Sequence, residues 1–175
     1  EVVERVPSLG GRVLRAAMDV GESGRMALIA DPSGGQVALW QAGTHAGATL
    51  FNEPFAMAWN ELQTRDTRAA CNFFTELLGW SWDPMENPGV GTYHVCKVGD
   101  RPNGGVMTMP PNVPDEVPPY WTVYFAVDDV DAVTERAREL GGKVWVGPMD
   151  IEVGRFSVVA DRQGGGFTLF QSPGS

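Results

Sequence analysis

Apolar and polar residues follow two different periods along this chain, and the changes from one to the other mark its elements. Between Asp66 and Gly79, Ala70, Phe73, Phe74 and Leu77 recur at helical spacing. Between Asp129 and Gly141, Val130, Val133, Ala137 and Leu140 do the same. Each run predicts a helix with one apolar face. Asp66, and Asp128 or Asp129, stand where an N-cap carboxylate is wanted, while Gly79 and Gly141 stand where a left-handed C-cap is wanted. An extended run precedes each helix, Met57 to Gln63 in one case and Tyr120 to Val127 in the other. Short β patterns follow: Trp80 to Met85, Thr92 to Val98 and Gly105 to Met109 after the first helix, then Lys143 to Val146, Arg155 to Ala160 and Phe167 to Phe170 after the second. The order β, α, β, β, β is thus predicted twice.

A third copy is present in part. The stretch from Gly11 to Gln41 matches Gly142 to Gln171, with Asp31 on Asp161, Gly35 on Gly165 and Gln41 on Gln171. Leu9-Gly10-Gly11 likewise matches Leu140-Gly141-Gly142. Such self-similarity constrains a fold more firmly than local propensity does. Residues 1–41 therefore read as the back part of a unit, with strands at Val13 to Ala17, Met26 to Ala30 and Val37 to Trp40. Asp31-Pro32-Ser33-Gly34 and Asp161-Arg162-Gln163-Gly164 are turn sequences, the first with Pro at a fixed φ and both with a closing Gly. The expected organisation is a truncated first domain over 1–41, a linker over 42–54, and a complete second domain over 55–175 built from modules 55–109 and 119–171. Pro110 to Pro119, rich in proline, joins the modules as a stiff strap. The three strands of the partial copy leave an unpaired edge and an apolar face. A module of this chain, an upstream segment or a second copy of the protein would have to cover them, so a homodimer is one expected option.

Composition narrows the function classes. A formal charge of −9 among 175 residues repels a phosphate backbone, which excludes nucleic acid and anionic membranes as partners. No apolar run is long enough to span a bilayer. Cys71 and Cys96 lie far apart and form no metal or redox spacing, so they read as free buried thiols in a reducing cytoplasm. Glu1 to Leu9 reads as the end of a helix rather than as a signal peptide.

The paired modules, the sequence Val127-Asp128-Asp129-Val130-Asp131, the Leu-Gly-Gly ends and a Gly-Arg strand leading into Asp-x-x-Gly-Gly resemble the vicinal oxygen chelate superfamily of glyoxalases, bleomycin-resistance proteins and dioxygenases. More narrowly they resemble two-domain actinobacterial glyoxalase-like proteins, often called hydroxylases and similar to a mycobacterial culture-filtrate antigen. The resemblance implies an α+β fold in which paired βαβββ modules form open, cup-shaped mixed sheets that hold a small ligand, often over a divalent metal. It also implies where metal ligands would stand. Counting back from the helix caps reaches Trp59 and Thr122, and counting on from the turn aspartates reaches Thr168 and Ala38. None of the four offers a carboxylate, imidazole or thiolate. No metal site and no cofactor are therefore expected.

Strand alternation sets Trp59, Glu61 and Gln63 on one face, and Thr122, Tyr124 and Ala126 on the face opposite the apolar Val123, Phe125 and Val127. Glu61 is the candidate catalytic group, able to act as a general base or to anchor a ligand; a solvated strand residue or an ion-pair partner is the plainer alternative. Trp59 is either a stacking platform or core filling. Gln63, Tyr93, His94, Thr122, Tyr124 and Thr168 are the other ligand-binding candidates, although a lone strand histidine is often structural. Three function classes stay open: a metal-free small-molecule binding protein taking an aromatic or amphipathic metabolite or drug; a lyase, isomerase or hydroxylase using Glu61 as base, with or without a shifted metal site; and an interaction module with filled cups.

Overall fold

The computed structural model describes residues 1–87 and 91–174. A four-residue helix α1 (Val2–Arg5) and a 3-10 turn (Pro7–Leu9) lead into β1 (Arg12–Val20), β2 (Gly24–Ala30) and β3 (Gln36–Ala42). Two β-α-β-β-β sequences follow. The first is β4 (Met57–Thr64), α2 (Thr67–Leu78), β5 (Ser81–Asn87), β6 (Gly91–Val98) and β7 (Arg101–Thr108). The second is β8 (Tyr120–Ala126), α3 (Val130–Glu139), β9 (Lys143–Ile151), β10 (Gly154–Ala160) and β11 (Gly166–Gln171). This is a mixed α+β fold of open sheets.

Caps form as the sequence requires. The Asp66 and Asp129 carboxylates each accept from a backbone N–H three residues on, at 2.9 Å in both cases. Gly79 and Gly141 close the helices with φ of 73° and 82°. β5 runs through Pro84 as expected, whereas β9 continues past its expected end at Val146 through Gly147-Pro148. Both are edge strands of their sheet, where a missing N–H donor is tolerated, and β9 also carries a bulge there.

The chain forms two compact units, one of Glu1–Gly47 with Glu61–Trp121, the other of Ala48–Asn60 with Thr122–Ser175. In the first unit β1, β2 and β3 make an antiparallel sheet, while the remaining strands run in the order β5-β6-β7-β4, with β4 parallel to β7. Its core joins Val6 and Ile29 from the N-terminal segment to Leu62, Phe73, Phe74, Leu77 and Val106. Ile29, Val37 and Leu39 of the partial copy thus pack against α2 of this same chain, while β1 stays exposed along its length. In the second unit the order β9-β10-β11-β8 repeats that pattern, with β8 parallel to β11. Val127, Val130, Val159 and Leu169 form its core.

The repeat extends to atomic contacts. Asp31 N–H donates to the Gly35 carbonyl at 2.9 Å and Asp161 N–H to that of Gly165 at 3.0 Å. Gly11 N–H donates to the Val6 carbonyl at 3.0 Å, and Gly142 N–H to that of Ala137 at 2.9 Å. The proline-rich strap is fastened by Arg65, whose guanidinium donates to the Val117 and Pro114 carbonyls at 2.8 Å each.

Candidate functional site

Residue parity in β4 positions the chemistry. Leu62 is fully buried in the α2 core, so its neighbours Glu61 and Gln63 face the other side of the sheet. Glu61 is only 4% exposed. Gln63 donates from Nε2 to Glu61 Oε1 at 3.1 Å, and the Tyr120 hydroxyl donates to Gln63 Oε1 at 2.6 Å. The amide thus relays between a phenol and a carboxylate. Burial first, and the Glu61 charge second, hold the Tyr120 phenol above its usual pKa. It stays a proton donor at neutral pH.

The register of β4 on β7 places Glu61 opposite Gly105. Here glycine is required for space: a Cβ would lie within van der Waals overlap of the Tyr93 ring and hydroxyl. The Tyr93 phenol therefore covers the strand beside Glu61. His94 does not join it. His94 pairs with Val106, which belongs to the α2 core, so it is on the opposite face of the sheet from Tyr93.

In the second unit Thr122 and Thr168 are buried, and Thr168 stands in register with Tyr124. The Tyr124 ring meets Phe170 edge-on at 6.3 Å. Phe125 instead meets Phe167 on the α3 side, where Val127 and Leu169 form the core. Trp59 is half-buried and shares the parity of Glu61 along β4. The structure thus brings Glu61, Gln63 and Tyr93 together with Tyr120, and separately Thr168 with Tyr124. Sequence reasoning missed Tyr120. The available signal was its parity with Thr122 and Tyr124 at the start of β8.

The donor set was also tested against the metal that the family implies. Trp59, Thr122, Thr168 and Ala38 bring an indole, two hydroxyls and a methyl, a set that does not fit a divalent ion. Among the described residues no three His, Cys, Asp or Glu side chains gather into an alternative site.

The family model of the Glyoxalase/Bleomycin resistance protein/Dioxygenase superfamily matches residues 56–169. The chain belongs to that superfamily. It is 44% identical over 172 residues to the "Putative glyoxylase CFP32" of Mycobacterium tuberculosis, a match covering 97% of this chain and 64% of the relative. It is 38% identical over 170 residues to the anthracycline biosynthesis protein DnrV of Streptomyces peucetius, covering 97% of this chain and 61% of the relative. The chain thus spans less than two thirds of the curated relatives it matches. Among solved structures, the 2,3-dioxygenase LapB from Pseudomonas sp. KL28 aligns with a TM-score of 0.61 at 17% identity, over 98% of this chain and 66% of LapB. That likeness concerns the fold.

Proposed function

We propose that this glyoxalase-superfamily chain binds a flat, hydroxylated aromatic molecule without a metal, anchored by Glu61. The observation that carries this reading is the nearly full burial of the Glu61 carboxylate within a hydrogen-bonded line of Gln63 and Tyr120. A carboxylate removed from water is costly unless it is hydrogen-bonded. Once held, it accepts strongly from a ligand hydroxyl, because charge-assisted hydrogen bonds exceed neutral ones. Tyr93 supplies an apolar ring beside it, over Gly105. Similarity to a protein named for anthracycline biosynthesis favours a polycyclic aromatic with a polar edge over an aliphatic ligand.

A second reading rests on the same line of groups. Glu61 as general base, oriented by the Gln63 amide that the Tyr120 hydroxyl fixes in turn, would suit a lyase, an isomerase or a hydroxylase. Native mass spectrometry of the purified protein separates the readings from the outset. A retained aromatic metabolite, unaltered on release and with no stoichiometric metal, supports binding. A retained substrate and product pair, or a stoichiometric transition metal, puts the enzyme first.

A further inference from the structure

A hollow in the second unit, about 500 Å3, is lined by Val133, Ala137 and Leu140 of the α3 end together with Gly142, Phe167 and Leu169. None of the candidate ligand-binding residues lines it. Its walls are nearly all apolar, and Leu140 is 56% exposed. The internal repeat identifies what such a surface does. The counterparts of Ala137, Leu140, Gly142, Phe167 and Leu169 are Val6, Leu9, Gly11, Val37 and Leu39, and in the first unit these pack around α2.

The correspondence holds atom by atom. A Cβ on Gly11 would lie 2.6 Å from Phe73 Cε2 and 2.7 Å from the Ala30 carbonyl oxygen. A Cβ on Gly142 would meet the equivalent Ala160 oxygen at 2.6 Å, but no ring. Gly35 is closed over by Leu62, whereas the three atoms nearest a Cβ on Gly165 all belong to the Asp161 side chain. At the rim, Arg5 donates to the Glu76 carbonyl at 2.6 Å, binding the C-terminal turn of α2. Its counterpart Arg136 stands at the edge of the hollow, paired with Glu139 on its own helix at 2.8 Å.

We propose that this hollow is a docking seat for the amphipathic helix of another βαβββ module, which inserts a Phe73-like ring against Gly142 and offers a C-terminal carbonyl to Arg136. A second copy cannot supply α2 for this purpose, since Phe73 and Phe74 are 2% and 0% exposed in the first unit. The mycobacterial relative has about a third of its length outside the match, room for a module of the size of residues 55–109, and we assign the occupant to such a module.

The test titrates the 175-residue chain with a helix-stabilised peptide carrying residues 66–79, because an uncrosslinked helix of that length is marginal in water. We expect saturable NMR shifts centred on Val133, Ala137, Leu140, Phe167 and Leu169. Phe73→Asp in the peptide should weaken binding about tenfold or more, and Leu140→Asp in the protein, at an exposed position, should abolish it. Absent or scattered shifts, or shifts that survive Leu140→Asp, overturn the proposal. So does concentration-dependent self-association that Leu140→Asp removes, which would make the occupant a second copy. A dihydroxyanthraquinone that shifts these same residues rather than β4 would make the hollow a small-molecule site and would equally overturn it.

Discussion

Gly35 and Gly165 occupy the same place in two copies of one repeat, and alanine should cost very different amounts at the two positions. Neither has a left-handed φ, so conformational strain does not separate them. At Gly35 an added Cβ would lie 2.6 Å from Asp31 Oδ2 and 2.8 Å from Leu62 Cδ1. Neither neighbour can yield. Leu62 is 0% exposed, and Asp31 is 1% exposed, with its Oδ1 held by the Ser33 N–H, the Ser33 hydroxyl and the Gly34 N–H. Overpacking of this kind costs about 1–3 kcal/mol. At Gly165 the nearest atom is Asp161 Oδ2 at 3.1 Å, against 2.6 Å for the closest contact at Gly35, and it lies on an exposed side chain. There the alanine recovers about 0.4–1 kcal/mol from the unfolded chain. One kcal/mol moves the melting temperature of a chain this size by about 2–4 °C. Differential scanning fluorimetry should therefore show Gly35→Ala lowered by about 2–12 °C and Gly165→Ala unchanged or slightly raised. Equal shifts would refute the claim that the N-terminal sheet is packed on the β4–α2 module while its repeat partner is open.

Burial pushes the Cys71 and Cys96 thiols from 9.0 up to about 12, so neither should be alkylated by iodoacetamide at neutral pH until the protein unfolds; rapid labelling of the native protein would contradict the packing. Their raised values also have a definite sign. The unfolded state loses its thiol protons first, so stability should be complete below pH 9 and fall as pH rises towards 12, and a melting temperature rising across that window would refute it. Excess chelator should leave the melting temperature unchanged, and a fall of several degrees would overturn the metal-free proposal. Arg65→Ala removes two charge-assisted hydrogen bonds to the proline strap and should cost about 1.5–3 kcal/mol. Asp115→Asn, touching only an exposed ion pair at 3.7 Å, should change little.

Much of the fold was legible because independent signals coincided. Aspartate caps, glycine C-caps and apolar spacing bracket α2 and α3 to within a residue or two, and the repeat fixes the strand order after each. The parity of β4 was legible too, since Leu62 had to be the core residue and Glu61 its opposite. Other features depend on information that only folding brings together. Tyr93 reaches the strand beside Glu61 through the β6–β7 register, which no local pattern encodes. Tyr93 and His94 are both candidates by residue type, yet adjacency along a strand sends their side chains to opposite faces. Tyr120 opens the expected run from Tyr120 to Val127, but only folding brings its hydroxyl to Gln63. The covering of the N-terminal sheet by α2 rests on Gly11 and Gly35 admitting Phe73 and Leu62, a fit between distant residues.

The measurement that tests the proposed site most directly is calorimetric titration of the protein and its Glu61→Gln variant with a dihydroxyanthraquinone. The variant keeps the size and much of the hydrogen bonding of the side chain while removing its charge. Losing a hydrogen bond to a charged acceptor costs about 1.5–3 kcal/mol, or roughly a tenfold to hundredfold loss of affinity. The account predicts saturable one-to-one binding to the unmodified protein, weakened by that factor in Glu61→Gln with the melting temperature little changed. Absence of saturable binding, or equal affinity in both proteins, would contradict it.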